Sequence, residues 1–163
     1  MSVDQALFRE AMGRFPSGVT IVTTVDERGR RWGFTASAFA SLSLQPPRIL
    51  VCLDRSANCH LSFSSADRFA VNILGTEHEE LAWHFASKTN DKFGGRNFQP
   101  GDLRLPLLSD AVATLECRTA GRLSGGDHTI LVGEPISIRL RAGSPAVFYN
   151  RRFWKLSEST VDA

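Results

Sequence analysis

GFTASAFASLSLQPPRILVCLD (residues 33–54) holds two unlike strand-forming sequences, divided by Pro46 and Pro47. The second half, RILVCLD, is a nearly continuous apolar run and is expected to form a central strand. The first half, residues 33–43, has four hydroxyl residues, three alanines and two phenylalanines, with no charge. A packed core calls for larger side chains. A solvent loop calls for Gly, Pro, Asn, Asp or charge. Two readings stay open for this stretch: tight packing of sheets over small residues, or a wall that lets a flat ligand approach the backbone. Phe34 and Phe39 are then the anchors to the core.

Outward from there, strands dominate. VDQALFREAMGRF (residues 3–15) places Leu7, Phe8, Ala11, Met12 and Phe15 on one helical face, with Asp4 as N-cap and Pro16 as terminator. GVTIVTTVD is β-branched and reads as a strand, ERGR as a turn, and RWGFT as the return strand. Residues 56–65 suit a short helix or loop, and RFAVNIL another strand. Thr76 and Glu79 form a capping-box pattern for a helix over residues 77–87, with Leu81, Ala82 and Phe85 inward. KTNDKFGGRNFQPGD (residues 88–102) reads as a long polar connection of the functional kind. AVATLECRTAGRL, SGGD and HTILVGEPISIRLRA read as one long hairpin, and AVFYNRRFWKL as a last strand. Strands that do not alternate with helices favour an antiparallel barrel or α+β fold over a doubly wound parallel sheet.

The totals narrow the function. The 163 residues suit one domain over 1–163. With 19 basic and 17 acidic residues, the chain has no charge excess for nucleic acid or an anionic membrane. No apolar run approaches the roughly 20 residues of a membrane helix, and MSVDQALFRE has no signal pattern, so the cytoplasm is the expected compartment. Cys52, Cys59 and Cys117 are too few and too scattered for a disulfide framework or zinc site; Cys52 and Cys117 read as buried strand residues. G-x-G-x-x-G, G-K-[ST] and G-x-S-x-G are absent. In HEELAWH the histidines are six residues apart, about 240° round a helix, so they do not converge on a metal. His78 and His84 are read as exposed.

Three segments carry chemistry: TASAFASLS, CLDRSANCH and GGDHTILVGE. Small residues suit a planar ring, and hydroxyls with an arginine suit a phosphate. Taken singly, each also suits ordinary packing or turn chemistry. Together with FREAMGRFPSGVTIVTT, FAVNIL, LAWHFASKTNDKF, LECR and FYNRRFWKL, in this order, the sequence resembles the short-chain flavin reductases, the reductase components of two-component flavin-dependent monooxygenases. It looks closest to members serving antibiotic-biosynthesis oxygenases in actinomycetes.

The resemblance implies a mainly β, α+β fold: a split β-barrel of Greek-key type that binds FMN, with flanking helices, working as a homodimer. It implies FMN or FAD as flavin, NADH or NADPH as reductant, and a monooxygenase as partner. Thr35, Ala36, Ser37 and Ala38 would contact the flavin ring, with Ser41 and Leu42 continuing the wall. Cys52, Leu53 and Asp54 would flank the ribityl chain. Arg55, Ser56, Asn58 and His60 would lie near the phosphate. Phe85, Ser87, Lys88 and Lys92 would close the far end. His128 would position the nicotinamide, with Tyr149, Arg151 and Arg152 near the same pocket. Cys59 has no assigned role. A flavin-binding module without reductase activity, or an oxidase of pyridoxamine phosphate type, are the competing readings.

Overall fold

The computed structural model describes residues 3–157. Helix α1 (Gln5–Gly13) begins as expected, with Asp4 Oδ1 accepting the Leu7 N–H at 2.9 Å. Among the described residues little covers its apolar face: Leu7, Phe8, Met12 and Phe15 are all more than half exposed. Strands β1 (Ser17–Gly18), β2 (Thr20–Val25), β3 (Arg31–Ala36), β4 (Phe39–Leu44) and β5 (Pro47–Asp54) follow. After α2 (His60–Ser65) come β6 (Arg68–Ile73), a 3-10 turn (Thr76–His78) and α3 (Glu79–Ala86). The remaining strands are β7 (Phe98–Pro100), β8 (Pro106–Leu108), β9 (Ala113–Gly125), β10 (His128–Leu140), β11 (Val147–Tyr149) and β12 (Arg152–Trp154).

Seven strands form one antiparallel sheet in the order β3-β2-β6-β9-β10-β5-β4. The expectation that residues 48–54 form its central strand is corrected. β5 lies next to the end, and β9 is in the middle. Its burial alternates: Ile49, Val51 and Leu53 are buried, while Leu50 and Cys52 are only partly covered. The strand buried on both faces is β2, whose threonines satisfy their hydroxyls internally. Thr20, Thr23 and Thr24 donate to the carbonyls of Ala36, Pro106 and Arg68 at 2.9, 2.6 and 2.8 Å.

The chain path rolls this sheet. β3 and β4 stand at opposite ends of the strand order, yet only Ser37 and Ala38 separate them in sequence. Three residue steps span at most about 11 Å, so the two sheet ends must approach that closely there. Among the described residues they do not pair with each other, and hydrogen bonds do not close the sheet into a barrel. On the β4 side of this open seam the Cys52 N–H donates to Ala38 O at 3.0 Å, carrying the β4–β5 ladder one step past Phe39.

The 13-residue strands β9 and β10 make the expected hairpin around Gly126 (φ +73°) and Asp127. Its ladder slips at Gly133, where the Phe69 ring lies so close that a Cβ would stand 2.6 Å from it. Residues 146–156 are not one strand. Asn150 (φ +47°) and Arg151 (φ +61°) turn the chain back, and β11 and β12 pair as a hairpin against β1. A two-residue turn with both residues left-handed usually contains glycine, so the sequence gives little warning of it.

Two more expectations change. Thr76 and Glu79 do not form the capping box; the Gly75 N–H donates instead to His78 Nδ1 at 2.9 Å. That bond draws His78 inward to 5% exposure, with Nε2 3.3 Å from Asp110. His84 is half-buried, with its Nε2 3.1 Å from Asp91 O. The polar connection 88–102 folds over its own aromatics: Phe93 and Phe98 are buried against Phe85 with ring centroids 5.1 and 5.4 Å from it.

Candidate active site

A cleft of about 330 Å³ runs along the open seam. One wall is residues 34–38, from the end of β3 through the link to β4. The opposite wall is Cys52, Leu53 and Asp54 at the end of β5, continued by residues 56–59 before α2. The C-terminal end of α3, residues 85–88, and Lys92 close one end, and His128 at the start of β10 stands on the rim.

The small residues of the first wall have identifiable neighbours. Phe34 packs edge-on against Phe63 at 5.0 Å, and Ala36 is buried with it in the core. Phe39 packs partly against the same cluster, as expected of an anchor. Gly33 lies under Phe85, where a Cβ would stand 2.7 Å from the ring. Thr35 Oγ1 donates to Ala82 O at 2.6 Å, tying the wall to α3. At Ser37 and Ala38 the ladder stops. Their carbonyls accept from Phe39 and Cys52, while their own N–H groups donate to no protein acceptor among the described residues. Both residues are exposed, so these two donors face the solvent of the cleft and are available to water or a ligand acceptor.

The charged groups are placed by equally local causes. Asp54 accepts the Ser56 N–H at 2.7 Å, which holds its carboxyl below the usual range. Lys92 Nζ donates to Phe85 O at 2.6 Å and Gly33 O at 3.2 Å, leaving one ammonium hydrogen uncommitted. Burial pushes its pKa down. Cys59 is buried beside it; desolvation raises the thiol, and the lysine charge opposes that rise. His128 Nδ1 lies 2.7 Å from Asp127 Oδ1. That bond holds the Asp127 carboxyl below its usual range, and a carboxylate only accepts, so Nδ1 carries the proton.

Of the residues singled out from the sequence, the cleft gathers Thr35, Ala36, Ser37, Ala38, Cys52, Leu53, Asp54 and Ser56. It also gathers Asn58, Phe85, Ser87, Lys88, Lys92 and His128. Seven others do not line it. Ser41 and Leu42 are exposed on β4, where the register slips. Arg55 turns away to Ser124 Oγ at 2.7 Å. His60 is held on both ring nitrogens, by Thr129 Oγ1 at 2.9 Å and Ser64 Oγ at 3.4 Å. Tyr149, Arg151 and Arg152 belong to the terminal hairpin, with Tyr149 edge-on to Trp154. From that hairpin, Phe148 and Phe153 border a neighbouring hollow that shares Thr35, Ser37 and Ala86 with the cleft. Phe34, Ala57, Cys59 and Ala86 line the cleft without having been assigned to it. Cys59 had a signal, since it lies inside CLDRSANCH directly after the cleft residue Asn58. Among the described residues, no three His, Cys, Asp or Glu side chains form a metal-ligating group.

An open-seamed antiparallel sheet with a polar cleft at the seam, small on one wall and cationic at one end, matches a known domain. The chain belongs to the flavin reductase like domain family, matched over residues 12–157. It is 46% identical over 154 residues to the actinorhodin polyketide dimerase of Streptomyces coelicolor, covering 94% of this chain and 87% of that protein. It is 40% identical over 154 residues to the reductase component of the 4-nitrophenol 4-monooxygenase/4-nitrocatechol 2-monooxygenase of Rhodococcus opacus, covering 93% and 80%. Among solved structures, the NADH:FAD oxidoreductase SgcE6 of Streptomyces globisporus, in complex with NAD and FAD fragments, superposes with a TM-score of 0.91 at 35% identity, covering 96% of this chain and 95% of that one.

Proposed function

We propose that the protein is an NAD(P)H:flavin oxidoreductase. It reduces diffusible FMN or FAD and supplies the reduced flavin to a separate monooxygenase, one serving antibiotic biosynthesis. The observation that carries the reading is the pair of open N–H groups at Ser37 and Ala38 on a wall of small residues, with Lys88 and Lys92 at the cleft's end. Such a wall fits a flat ring with carbonyl acceptors, and such an end fits a phosphate. Bound flavin supplies the acceptor for the hydride that the nicotinamide gives up.

The chain's own residues bind and orient. The Ser37 and Ala38 amides hold the ring's carbonyl edge and stabilise negative charge gathering there. Thr35 and Ala36 keep that wall thin, and Phe85 closes it. Cys52, Leu53 and Asp54 flank the ribityl chain, while Ser56, Asn58, Ser87, Lys88 and Lys92 serve the phosphate. His128, held by Asp127, positions the nicotinamide nucleotide. Ser41, Leu42, Arg55, His60, Tyr149, Arg151 and Arg152 have no contact role within one chain, because their side chains lie outside the cleft or are held elsewhere.

The rolled, open sheet supports a single split-barrel domain of Greek-key type over residues 1–163. The exposed apolar face of α1 supports a homodimer, with a second copy covering it. Among the described residues no helix is long and apolar enough to cross a membrane, which accords with a cytoplasmic protein. Mixing the protein with NADH or NADPH and excess FMN or FAD, and following nicotinamide absorbance, tests the activity. Reductant loss is expected. Flavin binding without it would leave a carrier.

A further inference from the structure

A second hollow lies beyond Lys92. Asn58, Cys59 and Lys92 line both it and the main cleft, so the two are neighbours. Its charged lining residues are Arg30, Arg31 and Lys92, and no carboxylate joins them. The two guanidiniums rest on aromatic rings: Arg30 lies 4.1 Å from the Trp32 centroid and Arg31 4.8 Å from that of Phe93. Neither pairs with a carboxylate among the described residues. Stacking holds the planar fork flat and leaves its edge donors free for a doubly bonded anion. At about 30 Å³ the hollow is too small for a ring system, and an anionic group bound there would sit at its mouth against the arginine edges.

FMN and FAD share the ring, the ribityl chain and the first phosphate. They differ only beyond that phosphate, where FAD continues into an adenylyl phosphate and adenosine. The main cleft already holds donors for the shared part. Arg55 and His60, which the sequence suggests for a phosphate, do not line the cleft: Arg55 Nη2 donates to Ser124 Oγ, and both His60 ring nitrogens have hydroxyl partners. The unpaired cations one step further on therefore face the part that only the dinucleotide has. We propose that this hollow is a second phosphate site, that it takes the adenylyl phosphate of FAD, and that Arg31 sets the preference for FAD over FMN. The assignment rests on the flavin reading of the main cleft.

Flavin fluorescence quenching, without any nicotinamide, reads the two affinities separately. Arg31→Gln is expected to weaken FAD binding about tenfold more than FMN binding, the scale of a charge-assisted contact. Arg31→Lys, which keeps the charge and loses the fork, should recover part of the difference, and Arg30→Gln should show a smaller one. Equal losses for both flavins, or no change in either, would overturn the assignment. So would a rise in KM for NADPH with the FAD-to-FMN ratio unchanged, which would give the anion to the nicotinamide nucleotide. Wild-type protein that binds neither flavin would overturn the flavin reading and this site together.

Discussion

The middle of the sheet and its open seam treat polar groups in opposite ways. In the middle, Asn72 is fully buried: its Nδ2 donates to Ile21 O at 2.9 Å and its Oδ1 accepts from Leu108 N at 2.8 Å. Glu116, also buried, accepts the Asp102 and Leu103 N–H groups at 2.8 and 2.7 Å. Each of these polar atoms has a fixed internal partner: Asn72 ties β2 and β8 to β6, and Glu116 ties the 102–103 loop to β9. At the seam, Ser37 and Ala38 have N–H groups with no partner among the described residues, and Lys92 donates only two of its three hydrogens to them. A satisfied network makes a rigid platform, whereas open donors make a place to bind. The first should govern stability and the second affinity.

The largest expected effect lies in the middle. Asn72→Ala leaves the buried Leu108 N–H without its acceptor and removes one donor from the Ile21 carbonyl. It should cost about 2–3 kcal/mol, read by denaturant unfolding, while the surviving folded protein keeps its flavin affinity. Gly33→Ala breaks the separation, because Gly33 is buried yet adjoins the cleft wall and holds Lys92 through its carbonyl. Its new Cβ would force the Phe85 ring aside, costing about 1–3 kcal/mol and weakening flavin binding as well. Thr35→Val removes one hydrogen bond to α3 and should cost about 1 kcal/mol. At the small end, Ser37→Ala should change stability by less than about 0.5 kcal/mol and leave flavin affinity nearly intact, since backbone donors serve the site.

The rim adds a pH dependence with a definite sign. The Asp127 carboxyl titrates below its ordinary 3.8 in the folded protein because of its bond to His128. The unfolded chain therefore binds that proton first. The stabilisation is complete above about pH 3.8 and is lost as pH falls through the folded value. Acid melts of Asp127→Asn should lack that component. His128→Ala should impair NADH use more than flavin binding.

How much of this was legible in the sequence follows from how local each cause is. The β9–β10 hairpin showed itself because Gly126 and Asp127 turn two long alternating runs. The first wall showed itself because residues 33–43 fit neither core nor loop. The position of β5 was misread because a strand's apolar run reports what covers it, not its rank in the sheet. His78 was misread because its partners, Gly75 N–H and Asp110, become a site only after the 3-10 turn forms. Arg55 and His60 looked like phosphate ligands by type, but Ser124 and Thr129 of the distant hairpin hold them, and pairing across 69 positions leaves no local mark.

Amide NMR during an FMN titration tests the central claim most directly, since it watches the open donors themselves. The Ser37 and Ala38 amide resonances should shift most, with those of residues 54–59 next, while Asn72 and Thr114 stay still. Shifts centred away from the seam, with Ser37 and Ala38 unmoved at saturating FMN, would contradict it.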